Sequence, residues 1–254
     1  MIKVIAEIGS NFFPNDRESC LSAIKSAEDC GADLVKVQLF DALNLSFRRG
    51  GSSKSVYLEQ WSLMDDFCWL AQKVKQDCSV GLGASIFCGN SGRVFHEQVG
   101  YLSFVKIASQ EFQWASLAQA VSLMACVRDI TLMVSVPPDA PLIVGNYMAK
   151  NPIVWMLCQP EYPARKDSYG SFRINEMANR LPGLIGVSDH TVIGNDRSMA
   201  SILLDDYKCR ESVSYWERHF CYDKKLRGLS PDGGDWSSGP AEFKKLVEVL
   251  HGEK

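Results

Sequence analysis

Two short stretches, LIGVSDHT (Leu184–Thr191) and SVSYWERHF (Ser212–Phe220), decide how the rest of the chain is interpreted. Each begins with apolar, partly β-branched residues and ends in a polar cluster, Ser188-Asp189-His190 in the first and Glu217-Arg218-His219 in the second. Unbroken apolar runs of this length are typical of buried parallel strands, because helices cover both faces of a parallel sheet. Polar residues at the C-terminal tips of such strands lie where barrel enzymes place their chemistry.

Six further apolar runs precede these two and are separated by segments with helical spacing. The eight predicted strands are Val4–Gly9, Leu34–Phe40, Val80–Phe87, Leu102–Ser109, Ile130–Val136, Ile153–Cys158, Leu184–His190 and Val213–Phe220. Alternating strands and helices predict right-handed βαβ units and a parallel sheet. Eight units in 254 residues predict an α/β fold of the (β/α)8 TIM-barrel type, with residues 1–254 as one domain. The alternative, an open doubly wound sheet, would carry a glycine-rich fingerprint after the first strand, where this chain has Glu7–Asn11.

The helical segments follow from apolar residues at helical spacing. They are predicted at Glu18–Cys30, Leu58–Gln76, through His96, and at Trp114–Val127, Leu142–Ala149, Phe172–Arg180, Asp196–Asp206 and Ala241–Leu250. Gly31 is predicted to terminate the first of them as a C-cap.

Composition excludes several classes of protein. A net charge of −3 with interspersed signs argues against nucleic acid or an anionic membrane surface as a partner. Apolar stretches are too short for a membrane span or a signal peptide. The nine cysteines form no CxxC pair, which is typical of reduced thiols in a cytoplasmic protein.

Polar side chains fall near the tips of all eight predicted strands. They are Glu7, Lys36, Gln38, Ser85, Lys106, Ser109, Glu111, Ser135, Glu161, Tyr162, Ser188, His190, Glu217 and His219. A lysine inside an apolar strand is costly unless it is paired or faces an anion. Lys36 and Lys106 therefore have three interpretations: Lys–Glu pairs that fill the barrel, a phosphate or carboxylate site, or a Schiff-base lysine as in a class I aldolase.

His190 and His219 end adjacent strands, so their rings are expected to converge. Two neutral imidazoles with a carboxylate such as Glu217 suit a divalent transition metal. The alternative for each is a solvated or hydrogen-bonded structural histidine. His96 and His251 are predicted to be surface residues on helices. Cys158, near a strand tip, and Trp236, in the last loop, are further candidates for the pocket.

These residues lie in motifs that resemble the sialic acid synthase family, the phosphoenolpyruvate-condensing synthases of N-acetylneuraminate and related nonulosonates. The resemblance runs from Val4 to about Leu250, the barrel without the family's C-terminal antifreeze-like domain. The motifs, in order, are AEIGSN (Ala6–Asn11), GADLVKVQLF (Gly31–Phe40), VKIASQEF (Val105–Phe112), CQPEYPA (Cys158–Ala164), GVSDHT (Gly186–Thr191) and ERHF (Glu217–Phe220).

The resemblance implies a role for each matching residue. Metal ligands fall on His190 and His219, for Mn²⁺ first, with Mg²⁺ or Co²⁺ as alternatives. Phosphoenolpyruvate contacts fall on Lys36, Ser85, Lys106, Ser109, Ser135 and Ser188, and contacts to the acceptor sugar on Glu7, Gln38, Tyr162 and Asp232. Glu217 is the carboxylate beside the metal, and either Glu7 or Glu217 handles the water that adds during the reaction.

The implied reaction condenses phosphoenolpyruvate with an N-acylated amino sugar such as N-acetylmannosamine, a metal-dependent transferase reaction. The family's antifreeze-like domain supplies an arginine to the partner subunit's sugar site, and the resemblance does not extend to that domain. Three further departures from the family pattern are Gln110, Ser135-Val136-Pro137 and Pro160. We therefore expect the phosphoenolpyruvate half of the site to be better preserved than the sugar half. The alternatives are a weakened relative that binds a sugar or a partner, and a Schiff-base aldolase. A homodimer, if formed, would need an interface other than the family's antifreeze-like domain.

Overall fold

In the computed structural model, eight parallel strands close into a barrel in chain order. They are β1 Lys3–Gly9, β2 Leu34–Leu39, β3 Gly81–Ile86, β4 Phe104–Ile107, β5 Thr131–Val136, β6 Val154–Cys158, β7 Leu184–Asp189 and β8 Val213–His219. Pairing of β1 with β8 completes the ring. The predicted (β/α)8 barrel is therefore confirmed.

The structure describes residues 1–11, 16–39, 66–87, 99–112, 119, 121–122, 125–126, 128–142, 147, 149–165, 169–192, 211–223, 225 and 232–252. Its helices are α1 Arg17–Asp29, α2 Phe67–Asp77, α3 Ser171–Arg180 and α4 Pro240–His251, with short 3₁₀ turns at Val99–Tyr101 and Ser109–Glu111. Positions 119, 121–122, 125–126 and 128 are also helical. None of the described helices is long and apolar enough to cross a membrane.

Most predicted helices that fall on described residues are present. Asp16 caps α1 by accepting a hydrogen bond from Ser19 N at 2.7 Å, and Gly31 follows its end in the left-handed region, φ +89°. The predicted helix Leu142–Ala149 is wrong at positions 142, 147 and 149, which are not helical. Gly145 and Asn146 in this stretch have low helix propensity. The helices predicted through His96 and at 196–206, and residues 58–65, lie outside the described residues.

Side chains alternate between the two sides of the barrel wall, as strand geometry requires. Outward-facing residues of the strands form the main core with the helices. Inward-facing residues near the N-terminal ends form a separate apolar cluster of Ile5, Phe104, Met133, Val154, Met156 and Tyr215. Gly83 makes room for this cluster, because a Cβ there would lie 2.2 Å from the ring of Phe104.

Toward the C-terminal ends of the strands the barrel interior becomes polar. Each of the following inward residues is at most 3% exposed: Glu7, Lys36, Ser85, Lys106, Ser135, Ser188 and Glu217. Burying charged groups is costly unless they are paired. This polar layer is therefore the part of the barrel that folding stability alone does not explain.

Candidate active site

The centre of the polar layer is a cluster of two lysines and two glutamates. Lys36 Nζ lies 2.5 Å from Glu7 Oε2 and 3.1 Å from Glu217 Oε1. Lys106 Nζ lies 2.6 Å from the same Glu217 oxygen. These four residues come from β1, β2, β4 and β8, so only closure of the barrel brings them together. The contacts are those of the Lys–Glu pairs that were one of the three interpretations of the sequence.

Two of the predicted serines are hydrogen-bonded to this cluster and two are not. Ser85 Oγ accepts from Lys36 at 2.8 Å. Ser188 Oγ accepts from Lys106 at 3.2 Å and donates to Glu217 at 2.8 Å. Ser135 is fully buried in the same layer, and its hydroxyl has no hydrogen-bond partner among the described residues. Ser109 lies on the turn after β4, partly exposed, without a described contact to the lysines.

The two glutamates have opposite protonation behaviour. Burial raises the pKa of Glu7 to about 7, since its attraction to Lys36 is opposed by repulsion from Glu217 and Asp232. Burial would also raise the pKa of Glu217, but Lys106 and Lys36 together hold that pKa well below its usual range. Glu217 is therefore a fixed anion, while Glu7 exchanges a proton near neutral pH.

The two lysines also differ. Burial would lower the pKa of Lys36, but Glu217 and Glu7 outweigh it and raise that pKa. Burial lowers the pKa of Lys106, since Glu217 only partly offsets burial and Lys36 adds repulsion.

The rings of His190 and His219 converge as predicted, with centroids 5.2 Å apart. His190 Nδ1 lies 2.7 Å from the carbonyl oxygen of Gln159, which can only accept, so Nδ1 carries the proton and Nε2 presents a lone pair. Burial lowers the pKa of His190 well below its usual value. Burial likewise lowers the pKa of His219 to about 3, so its contact with Asp232 at 3.8 Å is not an ion pair at neutral pH.

Both imidazoles are suited to ligate a cation. Both are neutral. His219 Nδ1 is buried without a hydrogen-bond partner among the described residues. His190 Nε2 faces the hydroxyl group of Tyr162. The described residues hold no group of three or more His, Cys, Asp or Glu side chains arranged around one metal position. Such a cation would therefore take its other ligands from substrate and water, as in catalytic sites that keep open positions.

Aromatic side chains form one wall above the histidines. The ring of Tyr162 stacks on His190 with centroids 4.1 Å apart, and its hydroxyl lies 3.2 Å from His190 Nε2. Although Tyr162 is 44% exposed, its hydroxyl end is turned into the site. Trp236 packs edge-on against Tyr162, with ring centroids 5.6 Å apart, so the two rings form one aromatic group.

A second wall of the site is built around Asp232. Its Oδ2 accepts from Ser10 N at 2.9 Å and Ser10 Oγ at 2.6 Å, and its Oδ1 lies 3.4 Å from Gln38 Nε2. Gly9 has φ +54°, and a Cβ there would lie 2.6 Å from the Asp232 carboxylate. The AEIGSN motif thus supplies more than Glu7, because its Gly-Ser pair holds the last loop over the site.

Sequence reasoning missed the residues that hold the tips of β7 and β8 from outside the barrel. Asp189 and Arg218 form a buried ion pair at 2.8 Å on the outward face. Arg218 also donates to the carbonyl of Thr191 at 2.7 Å and to Ser238 Oγ at 3.3 Å. Tyr169, fully buried, bonds to the main chain beside His190. The available signal was that Asp189 and Arg218 alternate with the histidines along the strands, and alternation places them on the opposite face.

Other candidate residues have different outcomes. His251 lies on a helix as predicted but is only partly exposed, because α4 brings its Nε2 to 3.0 Å from Asp33 and leaves 14% of its side chain exposed. His96 lies outside the described residues. Cys158 is buried at the tip of β6, and every described cysteine is a free thiol, as predicted.

The barrel is similar to those of several solved structures. An N-acetylneuraminic acid (sialic acid) synthetase from Leptospira borgpetersenii matches with a TM-score of 0.77 and 20% identity over 99% of this chain and 83% of that chain. The spore coat polysaccharide biosynthesis protein SpsE from Bacillus subtilis matches with a TM-score of 0.76 and 21% identity, over 99% of this chain and 68% of that chain. A DAHP synthase from Thermotoga maritima matches with a TM-score of 0.68 and 11% identity, over 99% of this chain and 68% of that chain. At these identities the likeness establishes the fold.

The family assignment comes from the sequence. A comparison with curated protein sequences finds no significant match. The family model described as NeuB family matches residues 23–252, which includes seven of the eight strands and both histidines of the site. The chain therefore belongs to the NeuB family.

Proposed function

We propose that this protein condenses phosphoenolpyruvate with an N-acylated amino sugar to form a sialic acid-type nonulosonate and phosphate. The observation that carries the proposal is the position of two buried ammonium groups, Lys36 and Lys106, next to two neutral imidazoles in one barrel mouth. Family membership and the likeness to a sialic acid synthetase support the same reaction class.

The lysines and serines are suited to bind the phosphate and carboxylate of phosphoenolpyruvate. Lys36 and Lys106 supply positive charge, and the buried hydroxyl of Ser135 offers a donor without a described partner. Ser85 and Ser188 already accept from the ammonium groups, so their hydroxyl protons can be redirected to an anion. Ser109, on the turn after β4, would contribute a further hydroxyl to this subsite.

The acceptor sugar would bind on the other side of the mouth. Gln38, Asp232 and Tyr162 present amide, carboxylate and hydroxyl groups there, the mixture that hydroxyl-rich ligands require. His190 and His219 would hold a divalent cation, Mn²⁺ first, which supplies Lewis-acid polarisation of the open-chain aldehyde when bound.

The reaction then needs one carbon–carbon bond, one water and one proton acceptor. The enol carbon of phosphoenolpyruvate attacks the aldehyde carbon, and water adds to the cationic carbon that bears the phosphate. The bond between that carbon and the bridging oxygen of the phosphate group then breaks, phosphate leaves, and a 2-keto acid remains. Glu7, with a pKa of about 7, is suited to take the proton of the water, whereas Glu217 is held as an anion between the lysines.

The direct test combines the protein, Mn²⁺, phosphoenolpyruvate and a panel of N-acetylated hexosamines. We expect phosphate release that requires both an acceptor and the metal, with a nonulosonate detected by mass spectrometry. Phosphoenolpyruvate labelled with ¹⁸O in the bridging position should pass the label to phosphate. No release with any acceptor, from protein shown to bind Mn²⁺, would contradict the proposal.

A second candidate function is supported by the lowered pKa of Lys106. A deprotonated Lys106 could attack a carbonyl and form a Schiff base, as in class I aldolases. Borohydride reduction in the presence of a 2-keto acid or an aldehyde would then fix the substrate covalently to Lys106. The condensation proposed above leaves no such adduct, so intact-protein mass spectrometry separates the two.

A further inference from the structure

Tyr169 places one hydroxyl against three main-chain groups behind the tips of β6 and β7. The hydroxyl accepts from Gln159 N at 3.3 Å and His190 N at 3.2 Å. It donates to the carbonyl of Ser188 at 2.9 Å. The residue is fully buried, so these are contacts between a tyrosine and the barrel wall and not part of the open mouth.

This hydroxyl has no capacity left for a substrate. A phenol offers one donor and two acceptor positions, and all three are occupied by the main chain. Burial also raises the pKa of Tyr169, so the donor proton stays in place. The contact between Tyr169 and Ser188 therefore depends on geometry and not on pH.

The three bonds converge on the contact that orients the His190 ring. His190 Nδ1 donates to Gln159 O at 2.7 Å, and Tyr169 binds the main-chain nitrogens of both of these residues. Fixing both ends fixes the ring orientation and the tautomer that leaves Nε2 as a ligand. Partners of this kind outside the ligand shell tune metal sites in proteins.

We propose that Tyr169 is a positioning residue that aims His190 Nε2 at the cation site. The inference rests on the proposed function, because there His190 acts as a metal ligand. The buried Asp189–Arg218 pair acts on the next residue of the same segment, since Arg218 donates to the Thr191 carbonyl. The carbonyl of His190 itself accepts from Ala164 N at 2.9 Å, so both main-chain groups of His190 are hydrogen-bonded.

The test compares two Tyr→Phe variants of the full chain. Tyr169→Phe removes the three bonds, while Tyr147→Phe removes a hydroxyl that donates to the Phe112 carbonyl at 2.9 Å, away from the histidines. Binding of Mn²⁺ is followed by electron paramagnetic resonance of the free ion. We expect a dissociation constant raised about tenfold in Tyr169→Phe, as for other residues behind metal ligands, and an unchanged constant in Tyr147→Phe.

A second readout needs no metal. Long-range ¹H–¹⁵N spectra of the histidine side chains report the tautomer and hydrogen bond of His190. We expect the His190 signals to shift in Tyr169→Phe, while those of His251, paired with Asp33, stay unchanged and show that the fold is kept. A merely stabilising tyrosine would lower the melting temperature without moving the His190 tautomer.

Each outcome decides between the claims. Wild-type affinity together with unshifted His190 signals in Tyr169→Phe would overturn the positioning role. If the wild-type protein fails to bind Mn²⁺, the proposed function fails. The His190 spectrum still decides whether Tyr169 fixes the orientation and tautomer of the His190 ring. Equal losses of affinity in both variants would also refute the inference, because the effect would then be unspecific.

Discussion

The strands β7 and β8 carry buried charges on both faces, and the two sets are built differently. On the inner face Glu217 contacts two lysines through one oxygen, while its other oxygen has no hydrogen-bond partner among the described residues. On the outer face both oxygens of Asp189 are occupied, one by Arg218 and the other by Thr191 N and Oγ1.

This difference teaches which charges serve the fold and which serve a ligand. Buried polar groups in proteins normally find partners, and the outer pair follows that rule. On the inner side of the strands, Glu217, Ser135 and His219 each carry a buried polar atom without a hydrogen-bond partner among the described residues. Further such atoms lie elsewhere in the described part of the chain, on Ser122, Arg173, Trp216 and Trp236. We therefore expect substitutions of the inner charges to change activity most, and substitutions of the outer ion pair to change stability most.

The largest effect on activity is expected for Lys106→Met. The variant keeps the length of the side chain but loses the ammonium group that faces Glu217 and Ser188. We expect phosphate release to fall about 10³-fold, since removal of one donor at a developing charge has effects of that order. The control is Lys150→Met, which removes an exposed lysine paired with Asp129. Activity of Lys106→Met within tenfold of wild type would show that this lysine has only a structural role, in a Lys–Glu pair inside the barrel.

Arg218→Met should have the largest effect on stability. It leaves Asp189 buried without its partner, and breaking such a pair costs about 3–5 kcal/mol. Urea unfolding measures this loss. Asp189→Leu combined with Arg218→Leu should recover part of the stability, because no unpaired charge is left. An Arg218→Met variant as stable as wild type would remove the distinction between the two faces.

Glu7→Gln should change the pH dependence as well as the rate. Because the pKa of Glu7 is about 7, wild-type kcat/KM should fall as the pH drops below 7 and the carboxylate is protonated. We expect Glu7→Gln to be about 10²-fold slower and to lack this limb. A raised folded-state pKa also means that ionisation of Glu7 costs stability, so wild-type stability should decline as pH rises through 7 relative to the variant. If the acid limb of the kcat/KM profile persists in Glu7→Gln, another group takes the proton of the water.

The smallest effect is expected for Gly9→Ala. The positive φ and the approach of Asp232 to within 2.6 Å of the new Cβ should cost about 1–2 kcal/mol in stability. Because Asp232 would be displaced from Ser10 and Gln38, KM for the acceptor sugar should rise more than KM for phosphoenolpyruvate. Steady-state kinetics with each substrate varied in turn measures the ratio. An equal rise in both constants would place Asp232 outside the sugar half.

The sequence allowed many of the polar residues at the strand ends to be predicted, because the C-terminal end of each strand can be located in the sequence. Polar residues that interrupt apolar runs, such as Lys36, Lys106, His190 and His219, stand out once the runs are read as parallel strands. Ser109 was less predictable, since it follows β4 in a 3₁₀ turn and turns do not keep the alternation of a strand. The helix predicted at Leu142–Ala149 failed because periodicity over so few residues is weak evidence.

What the sequence by itself determined is the set of strands, their order and the end at which the polar residues gather, because these depend on patterns within about ten residues of chain. Only the tertiary structure decided that Glu217 serves both lysines, that Glu7 is the carboxyl with a pKa near neutrality, and that Tyr169 lies behind His190. These contacts join residues on different strands. Their distances are set by closure and register of the barrel and by the burial that closure produces, and local sequence patterns carry neither.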